Sequence, residues 1–238
     1  MKIWENLIED TKKIIPSDVQ CEIKMINSID SLTRFANSHI HQNVEEEMTD
    51  LYLTFHSDGK TTNLNFNITS LGSIDEVVKK ALSEIENNPK DSSWSGLASK
   101  ENSYDGYRNL SPENPDLRAQ KVKDFIDQGG SFNGAGYCSS NVSNVFVWNT
   151  NGLSSSDTAT SAFLDGIFRS ETSSGSSHLG HKTLENIDGE KVGQEAYSIA
   201  KESQNPQDID PGVYEVILGP DAVSTICLLY TSPSPRDS

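Results

Sequence analysis

"SLTRFANSHIHQN", residues 31–43, is the stretch on which the reading of this sequence turns. His39 and His41 flank Ile40 just after Arg34, Phe35 and a run of small polar residues. On a strand, histidines two apart present both rings to one face, a spacing that can chelate a metal. Their surroundings are polar and lie near an expected sheet edge, so solvated histidines are the better account. Working outward, the period is two on both sides. Cys21, Ile23 and Met25 alternate with Glu22 and Lys24; Leu51, Leu53 and Phe55 alternate with Tyr52, Thr54 and His56; Leu64, Phe66 and Ile68 alternate with Asn63, Asn65 and Asn67. These segments read as half-buried strands of an antiparallel sheet, with Ser57-Asp58-Gly59-Lys60 as the turn between the last two.

Helices flank them. Ile3, Trp4, Leu7 and Ile8 share one helical face before Pro16 ends the run. Ser73-Ile74-Asp75-Glu76 is a capping box that opens a second helix, with Val77, Val78, Ala81, Leu82 and Ile85 facing inward. The fold class expected is therefore α+β, antiparallel sheets with flanking helices. An N-terminal α-β-β-β-β-α domain occupies residues 1–90, followed by a polar linker or long ordered loop at 91–114 and a second α+β domain at 115–208. In that domain Asn114-Pro115 starts a helix that Gly129-Gly130 ends, strands follow at 131–139, 142–149 and about 156–169, and a helix covers about 188–202. The Ser/Thr-dense segment 153–177 suits exposed strands and mobile hairpins better than a packed core. Residues 209–227 read as the start of a third domain, with a strand over 213–218 and a helix from Asp221. The composition changes abruptly at "LLYTSPSPRDS", so residues 228–238 are read as a non-native read-through tail and the natural protein as continuing past Cys227.

Charge and composition exclude several function classes. Across 238 residues, 19 basic against 35 acidic side chains give a net charge of −16, which repels nucleic acid phosphates and anionic lipid. No window approaches the roughly 18 consecutive apolar residues of a membrane-spanning helix. The start has no cationic end followed by an apolar run, so a cytoplasmic location is expected. Cys21, Cys138 and Cys227 are odd in number and far apart, which argues against a disulfide framework or a thiolate zinc site.

No catalytic, cofactor-binding or metal-binding residue emerges from spacing alone. His178-Leu-Gly-His181 could in principle join His39 and His41, but it is expected in a Ser/Gly-rich loop with no carboxylate placed as a base. There is no Gly-x-Ser-x-Gly elbow. Cys138 reads as a small buried residue. "GGSFNGAG" at 129–136 follows a helix and enters a strand, the reverse of a phosphate cradle. Glu45-Glu46-Glu47 reads as a solvated turn.

The order of elements and several local stretches resemble the TldD/PmbA family, also called TldD/TldE or modulator of DNA gyrase proteins. "SLTRFANSHIHQNVEEE" is similar to that family's R-x-A-N-S-x-I-x-Q strand pair, and "DLYLTFHSDGKTTNLNFN" to its following strand, glycine-containing turn and strand. "SIDEVVKKALSEIENNP" resembles the helix closing its first domain. "VFVWNTNGLSSSDTATSAFLDGIF" is similar to its central-domain run and "PGVYEVILGPDAVSTIC" to the start of its third domain. The resemblance covers nearly all of residues 1–227 and makes Arg34 to Gln42 a fold signature, with the histidines incidental. It implies a proteolytic system in which a TldD-like and a TldE-like subunit pair and act on peptides or unfolded segments. In TldD-type members a His-Glu-x-x-x-His helix holds a divalent metal, with zinc expected, and its glutamate would activate a metal-bound water. That motif is absent here, and "VILGPDAVSTIC" occupies the region where it would soon follow. The resemblance thus implies a PmbA/TldE-like partner subunit, C-terminally truncated, that holds no cofactor and is inactive alone. Its partner would be a TldD-like subunit or a second copy. The alternative from a different class is a non-enzymatic interaction module that uses exposed sheet edges.

Overall fold

The structure is a computed structural model that describes residues 2–68, 72–112 and 114–231. Its elements are α1 (Lys2–Ile14), β1 (Gln20–Ala36), β2 (His39–Ser57), β3 (Lys60–Asn67), α2 (Ile74–Asn87), β4 (Asp105–Gly106), α3 (Pro115–Ile126), β5 (Asn133–Asn149), β6 (Ser154–Arg169), β7 (Ser174–His181), α4 (Gly189–Glu202) and α5 (Pro220–Thr231). The α+β class is as expected from the sequence. The described residues divide into two compact units, 2–205 and 206–231.

In the first unit the strands make one seven-stranded sheet in the order β3-β2-β1-β5-β6-β4, with β7 also pairing β6. Every pairing is antiparallel except that of β4 with β6. The boundary placed at residues 91–114 does not separate two sheets, because β1 pairs with β5 from Glu22↔Asn149 to Phe35↔Gly136. The N-terminal half contains three strands before α2 where four were expected, since β1 and β2 run unbroken for 17 and 19 residues. Likewise, 131–139 and 142–149 belong to one strand, β5.

The length of these strands explains the misreading. Cys21, Ile23 and Met25 of β1 are buried against α1 and α2, and Phe35, an even number of residues on and so on the same face, is buried against α3 and α4. Trp148 and Phe146 of β5 likewise lie in the first core and Cys138 in the second. Two helix pairs therefore cover the two ends of one sheet face. The middle of each strand lies between them and needs no apolar alternation, so it mimics a loop in sequence. Glu45, Glu46 and Glu47, expected in a turn, are mid-strand residues of β2. The Ser/Thr-rich segment 153–177 is also not loosely packed. β6 carries Ala162, Leu164 and Phe168 into the second core, where Phe168 stacks on Phe125 at 4.6 Å. Each such large side chain contributes about 1.5–3 kcal/mol on burial.

Local signals set the ends of the helices. Ser73 caps α2 by accepting from the Glu76 amide at 3.2 Å. Asn114 caps α3 by accepting from the Asp116 amide at 2.8 Å, with Pro115 in the first turn, and Asp188 caps α4 by accepting from the Lys191 amide at 3.0 Å.

The second unit holds α5. Residues 212–219 have no regular secondary structure, so the strand expected over 213–218 is not formed, and Val213 and Ile217 are fully exposed. Among the described residues none supplies a neighbouring strand for that segment, and an extended chain without a ladder partner is not a strand. α5 continues past residue 228 to Thr231, and residues 232–238 of the expected tail lie outside the described residues.

Candidate functional site

The opening stretch is a two-residue hairpin. Asn37 and Ser38 have φ of 50° and 59°, the left-handed pair that matches strand twist in a tight turn between β1 and β2. Asn tolerates that conformation, and Ser38 adds a fastening: its amide donates to the Gly134 carbonyl at 2.9 Å and its hydroxyl accepts from the Gly134 amide at 3.0 Å. The hairpin tip is thereby tied to the start of β5. Gly136, just beyond, opposes Phe35, and a Cβ there would collide with the Asp165 carbonyl oxygen on β6.

The histidines do not converge. The register slips between Arg34 and Phe35, so His41 is the extra residue of a bulge. His39 and His41 are both exposed, and the His39 Nδ1–H donates to the Asn37 carbonyl at 2.7 Å. His178 and His181 lie on strand β7, not in a loop. β7 is four strand spacings from β2, about 19 Å at ~4.8 Å each. His178 stacks on Phe163 at 5.6 Å. Among the described residues no group of three or more His, Cys, Asp or Glu is placed to hold a metal ion. The donors among the described residues therefore do not fit the metal that the family resemblance implies.

Both core cysteines are fully buried, Cys138 in the second core and Cys21 in the first. Burial, with the neighbouring Glu22 charge adding to it, pushes the Cys21 thiol up to about 12. It stays protonated and unreactive at neutral pH.

Two surfaces remain. The first is the polar trough between the helix pairs. Asn27 donates to Glu47 at 3.0 Å and to Thr49 at 2.9 Å, Ser31 to Glu45 at 3.2 Å, and Thr33 to Asn43 at 2.9 Å. Asn144 on β5 donates to Asn27 at 3.4 Å, and the Thr158 hydroxyl of β6 donates to Asn144 at 2.8 Å. Arg118 of α3, 1% exposed, closes one end with Nη2 donating to Asn43 at 3.3 Å and Nη1 to Ser140 at 3.4 Å. Ser31, Thr33, Asn144 and Thr158 are buried within this network, so what it presents to solvent is Asn43 with the carboxylates of Glu45 and Glu47, flanked by half-buried Asn27 and Thr49. The second surface is the helix-free face, where Val44, Leu32 and Phe163 fall in one row across the sheet and Tyr137 stands beside Phe163 at 6.1 Å. Sequence reasoning missed both, because their residues are adjacent only through strand register.

No family model and no curated protein sequence matches this chain. Solved structures do. A candidate modulator of a DNA gyrase from Thermotoga maritima matches with a TM-score of 0.65 and 19% identity, over 89% of this chain and 50% of its own. TldE from Thermococcus kodakarensis matches with a TM-score of 0.59 and 19% identity, over 83% of this chain and 47% of its own. The chain has the TldD/PmbA fold. A second candidate modulator of DNA gyrase, from Bacteroides thetaiotaomicron, shares that fold with a TM-score of 0.69 and 13% identity over 87% of this chain and 51% of its own. The chain thus spans about half the length of the TldD/PmbA-fold structures it matches. No helix among the described residues is long and apolar enough to cross a membrane.

Proposed function

We propose that this chain is the N-terminal part of a TldE/PmbA-type subunit of a cytoplasmic peptide-degrading system. It contributes chamber walls and a partner surface, while a TldD-like subunit supplies the divalent metal. The observation that carries this reading is the fold likeness to TldE over most of this chain. The sheet face opposite the helices, with Val44, Leu32 and Phe163 in one row, supplies an extended surface of the kind a partner subunit requires.

The test uses the purified chain with unfolded casein and zinc, with and without chelator, and then with a TldD-type subunit added. The chain alone is expected to show no chelator-sensitive hydrolysis and to co-elute with the TldD-type subunit. Chelator-sensitive hydrolysis by the repurified chain alone overturns the partner role. The second reading, an interaction module that pairs through sheet edges, rests on β3 as the terminal strand of the sheet. Absence of any TldD-type complex, with binding to extended peptides that a proline in β3 abolishes, favours it.

A further inference from the structure

Residues 88–98 carry the chain away from α2 without forming a helix or strand, yet they are pinned along their length. Asn88 Nδ2 donates to the Thr61 carbonyl at 2.8 Å and to the Thr62 hydroxyl at 2.7 Å. The Asp91 amide donates to the Gly59 carbonyl at 2.7 Å. Trp94 lies flat on His56, with ring centroids 4.5 Å apart and planes 9° from parallel, and its Nε1 donates to Gln20 at 3.0 Å. The carbonyls of Leu97 and Ala98 accept from Asn151 at 3.2 Å and Asn149 at 3.0 Å. Gly96 and Leu97 then form one wall of a groove of about 770 Å³ whose other walls include Lys12, Ile15 and Val19.

At the centre of these pins is a proton relay. The Thr61 hydroxyl donates its single proton to Asp91 Oδ2 at 2.9 Å, so its oxygen accepts from His56 Nδ1–H, also at 2.9 Å. That leaves Nε2 as the position for a second proton. Adding it turns the stack on Trp94 into a cation–π contact and sets a positive charge two hydrogen bonds from the Asp91 carboxylate. The other charged groups around His56 are Glu22, on the same sheet face diagonally across β1, Asp58 and Lys60 at the β2–β3 turn, and Lys90 on the segment itself. We propose that residues 88–98 form a proton-sensitive latch, with His56 and Trp94 as its contact, which tightens over the groove when the imidazole is charged.

Asp91 does not confuse the window. Hydrogen bonds from Ser93 and Thr61 hold its carboxyl below the ordinary carboxylate value. A depressed carboxylate keeps its contribution above the unfolded value and loses it only as pH falls through the folded one, so Asp91 contributes no change between pH 7.5 and 5.5. The experiment is hydrogen exchange of the full chain at pH 7.5 and 5.5, corrected to protection factors. An exposed cation–π contact predicts factors for residues 88–98 about two- to five-fold higher at pH 5.5. The same titration should change Trp94 emission, taken as the difference from Trp94→Phe, and His56→Gln should abolish both changes. Equal protection at the two pH values, or a transition that survives in folded His56→Gln protein, overturns the latch.

Discussion

Replacing Gly175 with alanine tests the packing of α4 on β7, which builds the second half of the sheet. An added Cβ would lie 2.3 Å from the Ala200 amide nitrogen, 2.4 Å from the Ala196 carbonyl oxygen and 2.8 Å from Ile199 Cβ. Two of these neighbours are helix backbone and cannot rotate away, so the helix must lift from the strand. Overpacking of this kind costs about 1–3 kcal/mol, with more where backbone must move. Alanine returns about 0.5–1 kcal/mol through reduced unfolded-chain entropy. A net loss of about 1–2 kcal/mol lowers the melting temperature by roughly 2–8 °C in a unit of this size. Gly180→Ala is the control on the same strand: its Cβ would meet only Phe163 side-chain atoms, the nearest at 3.2 Å, and should shift melting by less than about 2 °C. The assay is thermal melting followed by far-UV circular dichroism for both variants. A Gly175→Ala protein that melts within about 1 °C of the parent would refute the close approach of α4 to β7.

Double replacement of His39 and His41 by alanine is expected to leave the metal content of the purified protein unchanged by elemental analysis; a clear loss would revive a histidine metal site. Cys21, with its thiol pushed from 9.0 to about 12, should resist a thiol-labelling reagent until the protein unfolds, whereas exposed Cys227 should label at once. Because the folded value is raised, the contribution of protonated Cys21 is complete below pH 9 and is lost as pH rises toward 12, so urea midpoints should fall across that window and not below it. A chain ending at Asn205 is expected to keep the melting temperature of the first unit and to be more monodisperse in light scattering than the full chain, since Val213, Ile217 and Leu228 are exposed in residues 206–231. Equal monodispersity would count against that.

Residues with local signals were legible in the sequence. Ser73, Asn114 with Pro115, and the Asp58-Gly59 turn announced their elements because capping and turn geometry are set within four residues. The mid-strand residues were not legible. Asn27 to Ser31 and Asn43 to Thr49 are polar because no helix lies over them, and a polar strand centre looks like a loop unless its pairing is known. The same blindness hid the trough, whose Asn27, Glu47 and Asn144 come from three strands, and the relay from Asp91 to His56, which depends on a loop folding back 35 residues. His39 and His41 failed as a site for a reason that spacing cannot express: His41 sits in a bulge, and four strand spacings separate the pair from His178 and His181.

The rungs that join β1 to β5 also govern how this protein can be cut. A break between residues 88 and 114 divides the molecule down the middle of a sheet, baring one edge of β1 and one of β5 from Glu22 to Phe35 and from Gly136 to Asn149. Each product would carry a long, unblunted row of amides and carbonyls, the geometry that recruits further copies. The two pieces should therefore precipitate separately and regain solubility only when refolded together, so a proteolytic nick in this connection leaves a non-covalent pair that gel filtration elutes as one particle.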